Sequence, residues 1–209
     1  MTKILAIGDS HIPRRARNIP DKIYNILHQL IEKERFDYTF FTGDIIKADD
    51  FINFLNLNTK KDLFIVVGNM DYYGGNRDAP MYQKLDFLFL DNNKMTLGLT
   101  HGHQVSPRGD HTQLELLAIE KNYNILVSGH THKEEVFLTK KGILLLNPGS
   151  VTGAWSFIAS GNPSFIILNL NEKNQEIEVN LYQLDIKSSK LDNLKFHFIF
   201  ENNRFKYKQ

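Results

Sequence analysis

The sequence predicts an α/β fold, and two observations carry that prediction. Runs of apolar, β-branched or aromatic residues end abruptly in short clusters of Asp, Asn, His and Gly. Segments with the apolar spacing of amphipathic helices lie between several of these runs. Strands that alternate with helices favour a largely parallel sheet, because parallel strands need long crossover connections. In such a fold, binding and catalytic sites usually form from polar residues just beyond the ends of several strands.

The strands and helices can be assigned in chain order. The apolar runs occupy residues 4–7, 38–41, 63–67, 97–100, 125–127 and 143–146. The polar clusters that follow them occupy residues 8–11, 43–44, 68–69, 101–103, 129–132 and 147–150. Helical spacing occurs over residues 20–36, 48–57 and 112–121. Pro20 suits the first turn of the first helix, and Asp49 and Asp50 suit the start of the second.

The pattern changes after Pro163. Strand-like segments at 164–170, 176–184 and 194–200 are joined by polar turns. This predicts antiparallel strands that form a second sheet or extend an existing one. With 209 residues the chain is long enough for one well-buried domain. We expect a single domain over residues 1–185 and a C-terminal strand or hairpin extension of it over residues 186–209.

Composition narrows the classes of function. Hydrophobic residues at 42% and charged residues at 23% are typical of a soluble globular protein, and no run approaches the ~20 apolar residues of a membrane helix. The N-terminal residues enter a predicted strand without a secretory signal, so a cytoplasmic location is expected. The absence of cysteine excludes disulfides and thiolate ligands. A net charge of +1 argues against nucleic acid as a partner.

Seven polar side chains in these clusters have the chemistry of metal ligands. They are Asp9, His11, Asp44, Asn69, His101, His130 and His132. Mixed nitrogen and oxygen donors suit Mn, Fe, Zn, Co or Ni better than Mg or Ca. Seven candidates exceed the needs of one tetrahedral zinc, so two ions that share the Asp44 carboxylate are the economical arrangement. Glycines beside these residues allow close backbone approach; they are Gly8, Gly43, Gly68, Gly102 and Gly129.

As an ordered set, these motifs resemble those of calcineurin-like metallophosphoesterases over residues 3 to about 150. The motifs read Gly8-Asp9-Ser10-His11, Gly43-Asp44, Gly68-Asn69-Met70-Asp71, His101-Gly102-His103 and Gly129-His130-Thr131-His132. The resemblance implies a four-layer α/β/β/α sandwich that hydrolyses small phosphodiesters or phosphomonoesters with two divalent ions. Mn is expected first, with Zn, Fe, Ni or Co as alternatives.

The same resemblance assigns the ligands by position. One metal is assigned to Asp9, His11 and His132, and the other to Asn69, His101 and His130, with Asp44 as the bridge. Four of these are also implied to be catalytic, namely Asp9, Asp44, Asn69 and His101. His103 then lies next to the ligands or faces solvent.

A closer resemblance covers residues 101–110, 128–133, 147–155 and 163–165. These segments resemble small archaeal and bacterial phosphodiesterases and, nearer still, the phosphoesterase-fold subunit of the eukaryotic retromer sorting complex. This implies a second hypothesis, a scaffold or adaptor that binds a large helical partner near Val105 and Trp155, although core packing is the simpler interpretation of Trp155. The retromer branch has changed the positions that match Asp44 and Asn69. Both remain enzyme-like here, which favours hydrolysis.

Other positions differ from the families that this chain resembles, and they qualify the functions that the resemblance implies. Ser106 and Arg108 stand where the retromer branch carries apolar residues. Many phosphoesterases have His after the ligand Asn, where it protonates the leaving group, but this chain has Met70. The small phosphodiesterase subgroup also lacks that His, so we expect leaving groups that need little acid assistance, or help from water or Asp71. The arginines after His11 either bind substrate phosphate or form a solvated loop; they are Arg14, Arg15 and Arg17.

Overall fold

The computed structural model of the chain describes residues 1–89 and 93–208. Within these residues the chain forms twelve strands and four helices. The strands are β1 (Thr2–Ile7), β2 (Phe36–Phe41), β3 (Thr59–Ile65), β4 (Tyr82–Leu88), β5 (Lys94–Thr100), β6 (Ile125–Ser128), β7 (Glu135–Leu138), β8 (Leu144–Asn147), β9 (Ser164–Asn171), β10 (Glu176–Leu184), β11 (Leu191–Glu201) and β12 (Arg204–Tyr207). The helices are α1 (Asp21–Lys33), α2 (Asp49–Leu57), α3 (Asn69–Tyr73) and α4 (His111–Glu120).

The strands form two sheets that are parallel only in part. The seven-stranded sheet has the order β12-β11-β10-β9-β1-β2-β3, with β1, β2 and β3 parallel and the C-terminal strands antiparallel. The five-stranded sheet has the order β4-β5-β6-β8-β7, in which β5, β6 and β8 are parallel and the two edge strands are antiparallel. The prediction of a largely parallel sheet is therefore wrong. It missed β4 and β7, which alternate too weakly to be recognised because they lie half-exposed at the edges.

Alternating burial along the strands produces four layers. Ile4 and Ala6 of β1 point into a core between the sheets, together with Leu97 and Leu99 of β5. The intervening side chains of β1, Leu5 and Ile7, face the other way. They pack in a second core with α1 and α2, whose buried residues include Ile23, Leu27, Phe51 and Leu55. On the far side, α4 covers the second sheet, with Leu114 and Ala118 against Leu126 and Leu145. The predicted α/β/β/α sandwich is confirmed.

The three predicted helices are present, with one boundary corrected. Pro20 precedes α1, as its ring allows, but α1 ends at Lys33 and not at 36. Phe36 belongs to β2, where it is fully buried, so the chain needs residues 34 and 35 to turn from helix to strand.

The C-terminal strands extend the first sheet and do not form a separate one. β9 pairs with β1, and β10, β11 and β12 follow in order. Phe198, Phe200 and Phe205 belong to the core between the sheets. Of the segment 186–209, the structure describes residues 186–208. In the described parts of the chain, no helix is long and apolar enough to span a membrane.

Candidate metal centre

The polar clusters that follow the parallel strands meet at one edge of the sandwich. Asp9 and His11 follow β1, and Asp44 follows β2. Since β1 and β2 are parallel, their carboxyl ends lie side by side. Backbone bonds fix the two loops together: the Asp9 N–H donates to the Gly43 carbonyl at 3.0 Å, and the His11 N–H donates to the Asp44 carbonyl at 3.0 Å.

Four of the seven candidate ligands form a tight buried group. Asp9, His11, Asp44 and His132 each offer one ligand atom, and these atoms lie within 4.8 Å of one another. His11 Nε2 lies 3.2 Å from Asp44 Oδ2, and His132 Nε2 lies 3.4 Å from Asp9 Oδ1. A donor set of two imidazoles and two carboxylates suits a first-row divalent ion.

Hydrogen bonds at the far ring nitrogens orient the imidazoles toward this group. His132 Nδ1 lies 2.8 Å from the Ala154 carbonyl, and His101 Nδ1 lies 2.7 Å from the Thr42 carbonyl. A carbonyl only accepts, so each Nδ1 carries a proton and each ring turns its Nε2 toward the group. Metal-binding histidines are commonly held by such carbonyl contacts.

Contacts inside the group are poorly satisfied without a cation. The Nε2 atoms of His11 and His132 lie only 2.9 Å apart, so both rings point at the same place. Asp9 Oδ1 and His11 Nδ1 are buried with no hydrogen-bond partner among the described residues. Buried polar atoms are nearly always paired in proteins. The donor set therefore fits a bound metal ion, which would lie between these nitrogen and oxygen atoms.

The other candidate ligands extend this group on one side. His101 Nε2 lies 3.1 Å from Asn69 Oδ1 and 3.6 Å from Asp44 Oδ2. Asp44 Oδ2 thus faces an imidazole in each half of the site. The His130 ring centre is 5.0 Å from that of His101, outside the tight group of four.

Charge and burial set the protonation of two ligands in opposite ways. Burial, followed by the nearby His101 and Arg108 side chains, lowers the pKa of His130 to about 3, so its ring is neutral near pH 7. Burial alone would raise the pKa of Asp9, but the surrounding imidazoles, His132 first and then His11 and His101, hold it well below its usual value. A neutral imidazole and an ionised carboxylate are the forms that bind metals.

The backbone at the site is strained. Asp9, His11, Asp44, His130 and His132 all have positive φ, between 50° and 67°. Few residues other than glycine adopt this region, although Asp and His do so more readily than most. Strain of this kind persists where the surrounding structure enforces it, and it clusters at functional sites.

Close backbone approach, predicted from the neighbouring glycines, is clearest at two of them. A Cβ at Gly68 would lie 2.0 Å from Asp44 Oδ1, and one at Gly129 would lie 2.3 Å from Asp9 Oδ2. Both distances are far below contact, so only glycine leaves room for the carboxylates.

Two residues that support the site were not recognised as such in the sequence. The buried Ser150 hydroxyl donates to the Asp9 carbonyl at 2.7 Å and accepts from the Ala154 N–H at 2.9 Å. The Thr42 hydroxyl donates to Asp9 Oδ2 at 3.2 Å. Ser150 closes the sixth polar cluster, which was the available signal for it.

The remaining predicted positions lie around the centre or away from it. His103 is half-buried, with its ring 5.5 Å from that of His101, and its Nδ1 has no hydrogen-bond partner within the described chain. His28 packs against Phe54 on the helical side of the first sheet, and His197 lies 3.8 Å from Glu178. Neither of the last two contributes to the site.

The structure corrects the predicted partner surface. Val105 is only 8% exposed and packs beneath α4 with Leu114 and Tyr123, so it does not belong to a surface. Trp155 is 63% exposed, and its interpretation as a core residue is wrong. Ala154, its neighbour, is buried and fills the inner side of this turn, which leaves the indole outside.

Trp155 belongs to an exposed apolar strip beside the metal centre. Phe157 is 87% exposed, its ring lies 5.0 Å from that of Trp155, and Ile158 is also exposed. The backbone beneath the strip is fixed, because the Trp155 carbonyl accepts from the Arg15 guanidinium at 2.9 Å and the Ser156 hydroxyl donates to the Thr131 carbonyl. These side chains are therefore held at the rim of the site.

Comparison with known proteins agrees with the motifs and the fold. Residues 2–173 match the calcineurin-like phosphoesterase superfamily domain. A probable metallophosphoesterase of Methanothermobacter thermautotrophicus is 30% identical over 174 residues, which cover 83% of this chain and 88% of that protein.

Two solved structures of Vps29 are similar over nearly their whole length. Vacuolar protein sorting 29 of Cryptosporidium parvum has a TM-score of 0.79 at 30% identity and covers 95% of this chain and 98% of its own. Wild-type Vps29 of Entamoeba histolytica, solved with Zn²⁺, has a TM-score of 0.74 at 28% identity and covers 93% and 99%. The predicted resemblance to the retromer subunit is confirmed. With its motifs, its fold and these relatives in agreement, the chain belongs to the calcineurin-like phosphoesterase superfamily.

Proposed function

We propose that the chain is a divalent-metal-dependent phosphodiesterase or phosphatase that hydrolyses small phosphoesters. The observation that carries the proposal is the buried group of Asp9, His11, Asp44 and His132, whose nitrogen and oxygen atoms converge while one carboxylate oxygen has no hydrogen-bond partner among the described residues. The Zn²⁺ in the Vps29 structure of Entamoeba histolytica supports a metal in this fold.

The ligand assignment follows the two halves of the site. Asp9, His11 and His132 would hold one ion, and Asp44 would contact both. The second ion would be held by Asn69, His101 and His130. Two divalent ions, with Mn²⁺ first and Zn²⁺, Fe²⁺, Ni²⁺ or Co²⁺ as alternatives, would place positive charge against the phosphoryl oxygens and favour deprotonation of the attacking water.

The protein's own residues preorganise this centre. The Thr42 and Ala154 carbonyls fix the rings of His101 and His132, so their nitrogens need no rearrangement on binding. The Met70 N–H donates to Asp44 Oδ1 at 2.8 Å, which leaves Oδ2 facing the imidazoles. Pre-positioned charge of this sort is a major contribution in phosphoryl transfer.

Protonation of the leaving group lacks a dedicated side chain. Met70 follows Asn69 and carries no proton that it can transfer. Asp71 is also unsuitable, because its two carboxylate oxygens accept the N–H groups of Ile46 at 2.8 Å and Gly68 at 3.1 Å. We expect water to supply the proton, so activated aryl esters should be hydrolysed faster than alkyl esters.

The first test combines metal analysis with a substrate panel. Protein reconstituted with Mn²⁺ should hold about two ions per chain, the usual number in two-metal hydrolytic sites. It should release nitrophenol from bis(p-nitrophenyl) phosphate, with lower rates on alkyl diesters, and lose this activity in chelator until Mn²⁺ is restored. Cyclic nucleotides and phosphomonoesters complete the panel. A saturating metal content of zero would contradict the proposal.

We propose a second function, adaptor binding, because of the exposed strip formed by Trp155, Phe157 and Ile158. Rigidly held aromatic side chains on a surface are typical anchors of protein interfaces. The partner that fits is an apolar face of a helical protein, as the resemblance to the retromer subunit implies. This function is compatible with hydrolysis, since the strip lies at the rim of the metal centre and not within it.

Replacement of Trp155 and Phe157 by alanine tests adaptor binding separately from hydrolysis. In quantitative capture from the native organism, Trp155→Ala with Phe157→Ala should remove a stoichiometric helical partner, since interface anchors of this type contribute about 2 kcal/mol or more. Leu57→Ala is the matched control, because Leu57 is equally apolar and exposed but lies at the end of α2. Asp44→Asn should retain the partner. The absence of a stoichiometric partner in every sample would leave the enzyme proposal alone.

A further inference from the structure

A cleft of about 220 Å³ opens directly beside the metal centre. Its walls come from three short stretches of the chain: residues 13–14, residues 46–47, and the group Met70, Asp71, Gly74 and Asn76. Each segment begins one or two residues after a candidate metal ligand. These ligands are His11, Asp44 and Asn69. The cleft is therefore built from the continuation of the same loops that form the site, and its lining residue Met70 donates its N–H to Asp44 Oδ1 at 2.8 Å.

Hydrogen bonds tie the three walls to one another. The Lys47 N–H donates to the Ile12 carbonyl at 2.9 Å, which joins the first wall to the second. The Ile46 N–H donates to Asp71 Oδ1 at 2.8 Å, which joins the second wall to the third. The backbone of these walls is thus held in place by one backbone bond and by the buried Asp71 carboxylate.

Ile46 has an unusual backbone conformation in this wall, with a φ of 64°. A β-branched residue at positive φ is a genuine outlier that is energetically unfavourable. The bond to Asp71 enforces it. Strain maintained in this way at the edge of a candidate active site is consistent with a wall shaped for a ligand.

The chemistry of the walls is cationic at the rim and apolar within. Arg14 and Lys47 are exposed, and neither has an ion-pair partner among the described residues. Pro13, Ile46 and Met70 supply apolar surface. The one acidic lining residue is Asp71, and both of its oxygens are already occupied by backbone N–H groups.

Size and charge together define the ligand class. A dry cavity of roughly 150 Å³ accommodates benzene, so this cleft has room for a ring with one substituent. Two unpaired cations at its rim favour an anionic substituent, with the ring against the apolar walls. Met70, at the position where related phosphoesterases carry His, then provides a contact surface for the ring.

We propose that this cleft binds the ester group that stays on phosphorus, and that it selects phosphodiesters in which this group is a ring with a negative charge. The proposal rests on the phosphoesterase function proposed above. In the reaction, water attacks phosphorus, the bond from phosphorus to the leaving oxygen breaks, and the leaving group takes up the proton released by water. The group in the cleft departs as the phosphomonoester.

Two matched diesters test the selection. One is 4-carboxyphenyl p-nitrophenyl phosphate, and the other carries a 4-carbamoylphenyl group, which has a similar size but no charge. With Mn²⁺, kcat/KM should be about fivefold higher for the carboxylate, the scale expected for partly exposed ion pairs. In the double variant R14Q/K47Q the ratio should fall to about one. R17Q removes a cation from the same loop but outside the cleft, and it should keep the wild-type ratio.

The outcomes separate this proposal from the proposed function. A ratio near one in the wild type, or a ratio unchanged in R14Q/K47Q, overturns the cleft assignment even if both diesters are hydrolysed. If neither diester is hydrolysed, the phosphoesterase proposal fails. Calorimetry in Mn²⁺ with 4-carboxyphenylphosphonate and 4-carbamoylphenylphosphonate then tests whether the cleft prefers the negatively charged ring. Tighter binding of the carboxylate that is lost in R14Q/K47Q supports it, and equal binding overturns it.

Discussion

Replacement of Asp44 by asparagine is expected to lower metal-dependent turnover about 1000-fold or more and to leave the fold intact. Asp44 Oδ2 lies 3.2 Å from His11 Nε2 and 3.6 Å from His101 Nε2, so it lies against the Nε2 atoms of imidazoles in both halves of the site. An amide in its place removes the negative charge that would hold two cations together. Metal content should fall with activity.

The choice of asparagine isolates the metal site from the fold. Asp44 Oδ1 accepts the Met70 N–H at 2.8 Å, and an amide oxygen preserves that bond. Asp44→Ala removes the acceptor as well, which should cost about 1 to 3 kcal/mol of stability because the N–H is left unpaired. Turnover, metal content and thermal midpoint would be measured together. Asp62→Asn, an exposed position on β3, serves as control. Turnover within tenfold of wild type in Asp44→Asn would contradict its role.

The central strands of each sheet can be predicted from the sequence, because buried parallel strands consist of uninterrupted apolar runs. β1, β2, β5, β6 and β8 are of this kind, and most of their side chains are buried. The polar clusters that follow these strands can be recognised in the sequence as well. They predict a site, since strand ends that share an edge bring distant residues together. Asp9 and His132 are 123 positions apart and follow strands of different sheets; the family resemblance assigns them to one metal, and their side chains lie 3.4 Å apart.

Features that depend on tertiary context were not predictable. β4 and β7 alternate imperfectly, because edge strands are exposed on more than one side. Val105 and Trp155 show that the sequence does not predict whether an apolar side chain in a loop is buried or exposed. The turn from Ser150 to Ala154 fixes the backbone, and only the folded geometry places Val105 under α4 and Trp155 in solvent.

Introduction of a methyl group at Gly68 is the second substitution expected to have a large effect. A Cβ there would lie 2.0 Å from Asp44 Oδ1 and 2.3 Å from the Asp44 backbone nitrogen. Gly68 itself has an ordinary φ of −88°, so an alanine backbone is not strained and the whole penalty comes from the overlap. We expect Gly68→Ala to cost about 3 kcal/mol, at the upper end of overpacking, and to reduce turnover about 100-fold by displacing Asp44.

Gly75→Ala provides the matched control in the same segment. Gly75 has a φ of 91°, but a Cβ there meets no atom within 4 Å. This variant should lose about 1 kcal/mol through backbone strain and keep its turnover. Chemical denaturation and kcat/KM in Mn²⁺ would be compared for both variants. Gly68→Ala could lose stability but keep its turnover. That result would contradict the prediction, because it would mean that catalysis does not require Asp44 at its position in this structure. Loss of both in Gly68→Ala alone ties the close approach of the two loops to the chemistry.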